Sequence, residues 1–239
     1  MIRPDERWWS PWRESNGVIV LHVDLSPDSE REARAHALLD DEEKQRWCGF
    51  VAERPRRQFA LCRAALRLNL AERLGCSNGG LSFGYQEHGK PFARVKGTPA
   101  SIGFNVSHSG KHGLIALADH SYVGVDVEER VARRDLDGIG KMVYGLAERQ
   151  SLSAVEGARK VHRFFRLWSL KEALIKALGT GFTLNPTGFE VPGAMLHGGR
   201  SGVFRFPHAP SATWWLGDLG EPRFAAAIAY KLSAPPFPD

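Results

Sequence analysis

The amino-acid sequence predicts an α+β fold composed of two similar halves. The succession of a strand, a helix and several further strands occurs once before about residue 118 and again after it. Each half also contains one long segment with helical apolar periodicity, at residues 54–75 and at residues 166–178. Because 239 residues are enough for one large domain or two small ones, we expect subdomains at residues 1–118 and 119–239.

The composition indicates a folded protein outside the membrane. Hydrophobic residues make up 43% of the chain, which is enough for a real core, but no apolar run approaches the roughly 20 residues that span a bilayer. The charged N-terminus lacks an apolar signal segment, and Cys48, Cys62 and Cys76 fit neither a zinc site nor a disulfide framework. We therefore expect a cytoplasmic protein without a membrane partner.

The charge favours an anionic partner. The net charge is +5 and the sequence pI is about 9.3, which suits nucleic acid, nucleotide phosphates or an acidic protein. The positive charge is rich in arginine, which is well suited to phosphate recognition. A GC-rich gene would produce the same arginine content without any function, so composition alone does not choose among these interpretations.

In the first half, residues 17–25 predict a strand, and residues 26–50 predict two short helices with Ser26 as the N-cap. Residues 54–75 predict a long helix that stops at Gly75. Its apolar residues recur every three or four positions, at Phe59, Cys62, Leu66, Leu70 and Leu74.

Several short strands should follow this helix. Residues 81–93 predict a strand, a turn and a second strand, and residues 101–110 predict a strand that ends in a polar turn. Residues 112–119 and 122–129 predict a hairpin joined near residues 120–121.

The second half should be helical in pieces before it returns to strands. Residues 135–179 predict helices that end at Gly179. Further strands are expected at residues 181–191, 202–207, 213–219 and 223–232, followed by a frayed, proline-rich tail at residues 233–239.

The helix around residues 166–178 carries a cation within its apolar face. Leucine and alanine side chains share one arc, and Lys171 projects from the middle of that arc. A buried ammonium is costly without a partner, so Lys171 needs a carboxylate or a phosphate beside it, unless its stem reaches out to solvent. Glu172 lies at the border of the arc, one turn before Lys176. An ordinary surface ion pair would give the same spacing.

Two acidic residues share one face of the strand at residues 122–129. Asp126 and Glu128 alternate with valines and lie about 6.5 Å apart along a strand, close enough to converge on one cation. Magnesium prefers carboxylate and phosphate oxygens. Glu172 could supply a third carboxylate, and Lys176 could then face phosphate. The alternative is a solvated polar face of an amphipathic strand.

Further polar residues could contact phosphate groups. Ser107 and His108 lie in the motif FNVSHSG, where His108 could hydrogen-bond a phosphate or act as an acid or base. Arg56, Arg57 and Lys90 are positive groups that could bind phosphates. A turn with satisfied polar groups and a solvated basic face are the alternatives.

The order GKP, FNVSHSG, VGVDVEE and WSLKEALIKALGTG resembles that of the 4′-phosphopantetheinyl transferase superfamily, over about residues 42–182. With both halves in one chain, the sequence is similar to the surfactin-synthetase-activating type rather than to the short trimeric holo-acyl-carrier-protein synthases. The resemblance implies two α+β subdomains related by a pseudo-twofold, with coenzyme A in the cleft between them.

The resemblance also implies the roles of individual residues. Three carboxylates match the family's magnesium ligands, with a water in place of the Val127 side chain: Asp126, Glu128 and Glu172. Lys176 matches the lysine that meets the pyrophosphate. The other matches imply contacts to coenzyme A: Lys171 at the cleft, Ser107 and His108 at the phosphates, Lys90 near the 3′-phosphate, and one of Arg46, Arg56 or Arg57 beside it.

The implied reaction moves 4′-phosphopantetheine from coenzyme A to a serine of an apo acyl or peptidyl carrier protein, with magnesium, and releases 3′,5′-ADP. Glu172 is the first choice for the base and His108 the second, while Lys176 stabilises or protonates the leaving phosphate. Carrier proteins of this kind are usually acidic, which suits the basic chain. Two fused halves suggest a monomer, and we expect no nucleic-acid partner.

Two other functions compete with this interpretation. A metal-dependent nuclease also combines acidic residues with an E-x-K motif, but that motif lies on a strand with a spacing of two, whereas Glu172 and Lys176 have helical spacing. The aromatic and basic residues typical of nucleic-acid grooves are not interleaved here. A non-catalytic module that binds coenzyme A or a carrier is disfavoured because four residues are intact: Asp126, Glu128, Glu172 and Lys176.

Overall fold

The sequence-predicted α+β architecture is present in both halves of the chain. The structure, a computed structural model, describes residues 3, 6–119, 122–132, 135–179 and 184–232. The chain divides into two compact units, Met1–Ser121 and Tyr122–Asp239. The described residues of each unit form a four-stranded antiparallel sheet and a helix of 22 residues.

The first unit contains two sheets and three helices among its described residues. Its larger sheet has the order β1-β2-β7-β6, and its smaller sheet has the order β3-β4-β5. The elements are β1 (Trp9–Ser15), β2 (Val18–Asp24), α1 (Ser29–Ala37), α2 (Asp41–Cys48), α3 (Glu53–Leu74), β3 (Leu81–Tyr85), β4 (Pro91–Val95), β5 (Thr98–Pro99), β6 (Gly103–Ser109) and β7 (His112–Ala118).

Helix α3 is the centre of the first unit's core. In the predicted apolar stripe, Cys62, Leu66 and Leu70 are at most 3% exposed, whereas Phe59 and Leu74 are half-buried. The stripe packs with strand residues such as Val23 and Ile115. The helix ends as predicted at Gly75, which adopts the left-handed conformation with φ of 61°.

The first short helix begins later than the sequence suggested. Asp28, not Ser26, is the N-cap of α1, and its carboxylate accepts a hydrogen bond of 2.9 Å from the backbone N–H of Arg31. The backbone N–H of Ser26 instead donates to Oδ1 of Asp24 at 2.9 Å. The ionised Asp28 is the stronger acceptor for the free N–H groups of the helix start.

One strand prediction in this region is confirmed with a shifted end, and another was wrong. The strand predicted within residues 101–110 is present as β6, but it continues through Ser109 before the chain turns, because His108 and Ser109 pair with Gly113 and His112 of β7. Residues 112–119 and 122–129 do not form a hairpin, since β7 pairs with β2 and β6 whereas the later strand belongs to another sheet. The predicted joint at residues 120–121 lies outside the described residues.

The second unit contains one four-stranded sheet among its described residues. Its order is β8-β11-β10-β9, so its first strand pairs with its last, whereas in the first unit it is the second strand, β2, that pairs with the last strand, β7. The elements are β8 (Val123–Glu129), α4 (Leu136–Val143), α5 (Leu146–Ser153), α6 (Gly157–Leu178), α7 (Gly193–Leu196), β9 (Ser201–Phe206), β10 (Ala209–Asp218) and β11 (Phe224–Lys231). None of the described helices is long and apolar enough to cross a membrane.

The strand expected at residues 181–191 is not present in its described part. Residues 184–191 contain a short 3₁₀ turn, Pro186–Gly188, which Asn185 caps by accepting from the backbone N–H of Thr187. Residues 181–183 and the tail at residues 233–239 lie outside the described residues.

Helix α6 and strand β8 approach each other at Gly124. A Cβ atom added to Gly124 would lie 2.9 Å from Cα of Ala177 and would overlap the carbonyl oxygen of Ala173 and the amide nitrogen of Ala177. These are backbone atoms of α6 that no side-chain rotation can move away. Glycine at this position therefore lets the strand lie directly against the helix.

We expect Gly124→Ala to destabilise the protein by about 1–3 kcal/mol or more, because the methyl group forces β8 away from α6. Urea denaturation measures the loss. Gly193→Ala is the matched control, since a Cβ atom there meets nothing within 4 Å. Equal stability of the two variants would show that the contact at Gly124 can relax.

Candidate functional site

Asp126 and Lys176 meet where β8 lies on α6. The Nζ atom of Lys176 donates a hydrogen bond of 2.6 Å to Oδ1 of Asp126. The Asp126 side chain is 3% exposed and that of Lys176 is 28% exposed. Asp126 lies two residues after Gly124, on the same face of the strand. The close contact at Gly124 thus brings the carboxylate to the helix edge that carries Lys176.

Glu172 lies one helical turn before Lys176 and belongs to the same cluster. Burial raises the pKa of its carboxyl group, the nearby Lys176 opposes that rise, and the Asp126 carboxylate adds to it. Two carboxylates and one ammonium group therefore act on one another at this edge. A carboxyl group whose pKa is raised is a better proton acceptor than an ordinary exposed glutamate.

The predicted magnesium site is not preformed in the structure. Across the described ranges, no group of three or more His, Cys, Asp or Glu side chains is arranged to hold a metal ion. Glu128 is half-buried, two residues beyond Asp126 on the same strand face. The donor chemistry still fits a hard cation, because Asp126 already binds a cationic group and Glu172 is near it. The metal and its three ligands stay predictions.

Lys171 is buried in a different environment from the one that the family resemblance implied. Its side chain is 1% exposed, and its Nζ atom donates to Oε2 of Glu148 at 2.7 Å and to the carbonyl of Phe189 at 2.6 Å. The ammonium group also lies 4.3 Å from the centre of the Phe189 ring. The Glu148 carboxylate is thus the anionic partner that the buried Lys171 ammonium requires. These contacts do not favour a role of Lys171 in binding coenzyme A.

Glu148 was missed in the sequence, although it is completely buried. Besides Lys171, it accepts hydrogen bonds from the backbone N–H groups of Gly145 and Val191, both at 2.9 Å. Its position three residues after the N-cap Gly145 completes a capping interaction at the start of α5. Glu148 therefore joins α5, α6 and the segment before α7 through a satisfied polar network.

A second group of predicted residues borders a cavity of about 220 Å³ in the first unit. Arg46 and His108 are among its lining residues, and so are Gly89 and Pro91, the two neighbours of Lys90 in the GKP motif. Burial lowers the pKa of the Lys90 ammonium to about 8. These three predicted coenzyme A contacts are thus brought to one region.

The other candidates for phosphate contacts lie elsewhere in the first unit. Arg56 donates to the carbonyl of Phe50 at 2.6 Å, and Arg57 donates to the carbonyl of Leu25 at 3.1 Å. Neither arginine lines the cavity, and Ser107 is a buried residue of β6 that does not line it either. Of the three arginines considered, the geometry favours Arg46.

Comparison with known proteins matches both units to one family. A model described as 4′-phosphopantetheinyl transferase superfamily matches residues 122–229, and one described as 4′-phosphopantetheinyl transferase, N-terminal, matches residues 24–120. The 4′-phosphopantetheinyl transferase HetI of Nostoc sp. is 32% identical over 168 residues, which are 70% of this chain and 70% of the relative. The chain belongs to the 4′-phosphopantetheinyl transferase superfamily.

Other members of the superfamily match over similar lengths. A 4′-phosphopantetheinyl transferase of Bacillus subtilis is 28% identical over 174 residues, 73% of this chain and 75% of the relative. A Synechocystis protein, provisionally named for the same activity, is 35% identical over 147 residues, which are 62% of this chain. The aligned stretch spans 59% of the Synechocystis protein.

These matches confirm the predicted family and its two-subdomain type, since both family models lie in one chain. They also confirm the predicted class of enzyme, because the relatives bear the name of that transferase. They give no support to the nuclease alternative. The roles of the individual site residues in this chain remain predictions.

We expect Glu172→Gln to raise the melting temperature at pH 7, because burial opposes the ionised carboxylate. The pKa of Glu172 in the folded protein is raised above its ordinary value of 4.5. The contribution of this carboxyl group to the free energy of unfolding is therefore complete below pH 4.5 and is lost as the pH rises through the folded-state pKa. The gain of the variant should therefore vanish below pH 4.5. Thermal unfolding from pH 4 to pH 8 measures it, with the exposed Glu87→Gln as control. A variant less stable than wild type at pH 7 would contradict this expectation.

Lys171→Met and Glu148→Gln should each destabilise the protein by roughly 3–5 kcal/mol, because each leaves a buried charge without its partner. The double variant should lose less than the sum of the two single losses, since neither charge then remains. Denaturant unfolding of the four proteins measures the coupling. Additive losses would show that the two groups act independently, and the exposed pair Lys160 and Asp137 provides a control cycle in the same unit.

Proposed function

We propose that this member of the superfamily transfers the 4′-phosphopantetheine arm of coenzyme A to a serine of an apo acyl or peptidyl carrier protein. The observation that carries the proposal is the cluster of Lys176, Asp126 and Glu172 where β8 lies on α6. It combines a cation for phosphate oxygens with carboxylates that can accept a proton. The names of the aligned relatives give the same reaction class.

In the proposed reaction the serine oxygen forms a bond to the phosphorus that bears pantetheine. The bond from that phosphorus to the bridging oxygen breaks, and 3′,5′-ADP leaves with the electron pair. Glu172 accepts the serine proton. Lys176 faces the pyrophosphate and offsets the charge that develops on the leaving oxygen.

Asp126, Glu128 and Glu172 would hold a magnesium ion. When bound, such an ion supplies positive charge to phosphate oxygens during phosphoryl transfer. In the structure Lys176 neutralises Asp126, so the lysine must release this carboxylate as it turns to the pyrophosphate. The interaction with Lys176 therefore offsets one of the carboxylate charges of this site.

The proposed protein partner is an acidic carrier. The net charge of +5 gives the transferase a surface that attracts an acidic protein and speeds encounter. A monomeric state and a cytoplasmic location belong to the same proposal, which names no particular pathway.

We expect an apo carrier protein to gain the mass of one phosphopantetheine arm when it is incubated with this protein, coenzyme A and magnesium. A panel of fatty-acid, polyketide and peptide carriers, read by intact mass, tests the activity and identifies the carrier class.

Asp126→Asn should cut turnover severely, because it removes a charge from the centre of the site. Asp41→Asn is the control, since the Asp41 side chain is fully exposed.

Three results would count against the proposal. The first is no mass gain on any carrier in the panel with folded wild-type protein. The second is undiminished turnover in excess chelator, which would remove magnesium from the reaction. The third is equal turnover of Asp126→Asn and Asp41→Asn, which would separate the β8–α6 cluster from the chemistry.

A further inference from the structure

The face of α6 that lies on β8 continues toward the start of the helix as a row of arginines. One stripe of residues runs along α6 at alternating spacings of four and three: Arg159, Arg163, Arg166, Leu170, Ala173 and Ala177. The two alanines of its C-terminal half lie directly against Gly124 of β8. Its N-terminal half consists of arginine alone. The closest packing face of the helix therefore becomes a basic surface in the first turns of α6.

The arginine half of this stripe borders a cavity of about 600 Å³ in the second unit. Apolar side chains form part of the cavity wall, at Val155, Ala158 and Leu196. Arg200, the residue before β9, adds a fourth guanidinium group, whereas Asp218 supplies the one carboxylate among the described residues that line the cavity. The cavity thus has the volume of a small-molecule site and an excess of positive charge.

The Asp218 carboxylate is already engaged by Arg166. Nε of Arg166 donates to Oδ2 of Asp218 at 2.7 Å, and Oδ1 of Asp218 accepts from the backbone N–H of Gly220 at 2.8 Å. The other two nitrogen atoms of the Arg166 guanidinium group donate to the carbonyls of Met195 and Gly199, at 2.6 and 2.7 Å. Arg166 and Asp218 therefore satisfy each other, and the pair joins α6 to the end of β10.

The other three guanidinium groups have no close carboxylate in the part of the chain that the structure describes. Nη1 of Arg200 is 3.8 Å from Oδ2 of Asp218, beyond a hydrogen bond. Nη1 of Arg163 donates to two neutral oxygens, the carbonyl and the hydroxyl of Ser151, at 2.8 and 3.3 Å. Arg159 is exposed, and no hydrogen bond or ion pair to a described residue holds it. Three cations thus line one cavity without a counter-charge.

Like charges also lie side by side at the start of α6. Arg159 and Arg163 are one turn apart, a spacing at which like charges destabilise a helix. Both lie in the first two turns, where the helix dipole favours acidic residues, but the first turn contains none. Burial is the main cause that lowers the pKa of His162, another lining residue; the charges of Arg130 and Arg166 add to it, and one carboxylate opposes it. An anion in the cavity would turn these repulsions into attraction.

We propose that this cavity is a second ligand site of the chain, for a small anion that carries two or more charges on phosphate or carboxylate groups. Arg159, Arg163 and Arg200 bind the charged groups, because guanidinium forks match both kinds of oxygen acid. The apolar wall accommodates the carbon atoms of an organic anion. None of the described lining residues belongs to the candidate catalytic cluster where β8 lies on α6, so the site is independent of the proposed transferase function.

Calorimetric titration with pyrophosphate and with citrate tests this site, in saturating coenzyme A and without magnesium, so that coenzyme A keeps the anions from the proposed transferase site. We expect wild type to bind at least one of the two anions. Arg159→Gln and Arg163→Gln should each weaken this binding by roughly tenfold or more, since each removes a charge-assisted hydrogen bond. Arg205→Gln is the matched control, because Arg205 is exposed on β9 and donates to the Thr213 hydroxyl at 3.2 Å.

Melting temperatures give a second readout. Without an anion, Arg159→Gln should melt at or above the temperature of wild type, because it removes a like charge from the start of α6. The bound anion should raise the melting temperature of wild type more than that of Arg159→Gln. Arg163→Lys should keep part of the affinity, since it retains the charge without the fork. If Arg163→Gln does not fold, the exposed position Arg159 decides the question.

Three results would overturn the site. They are no binding of either anion by folded wild type, equal affinities of wild type and Arg159→Gln, and an anion that binds only when coenzyme A is absent. Failure of wild type to bind coenzyme A, in contrast, would count against the proposed function, and the arginine variants would still test the cavity. Binding of either anion that is lost in the arginine variants supports the site, and the tighter anion identifies phosphate or carboxylate as the preferred group.

Discussion

The arrangement of the candidate active site depends on one backbone contact, the approach of β8 to α6 at Gly124. A Cβ atom at this position would overlap backbone atoms of Ala173 and Ala177, so the strand lies directly on the helix here. Asp126 follows Gly124 by two positions and lies on the same face of the strand. On the helix, Ala173 comes directly after Glu172, and Ala177 comes directly after Lys176. The two alanines and the glycine therefore determine which charged groups meet.

Periodic features of the sequence were sufficient to predict the long helices and most strands. Helix α3 and the end of α6 at Gly179 follow from apolar spacing and a glycine that adopts a positive φ. The hairpin of β7 and β8 could not be excluded in the same way, since adjacency in sequence does not say which strands pair. Their partners, β2 with β7 and β11 with β8, are far away in the chain.

Within the candidate site, the sequence predicted which residues carry the chemistry better than it predicted which side chains they contact. The sequence indicated that Lys171 required an anionic neighbour, but Glu148 lies 23 positions earlier on another helix, and no local pattern connects the two. Helix α3 gives a further example, because its many arginines look alike in the sequence. Only the folded chain separates Arg57, which donates to a carbonyl, from Arg63, which lines the first unit's cavity.

The buried pair of Lys171 and Glu148 has a consequence for how this sequence can change over evolutionary time. A replacement of either residue alone leaves an isolated charge in a dry interior, whereas two apolar residues of similar volume could fill the same space without penalty. Single-substitution libraries would therefore score both positions as immutable, although a joint exchange is physically open. The two positions are therefore epistatic. The ion pair can be replaced by an apolar pair only if both residues change nearly at once.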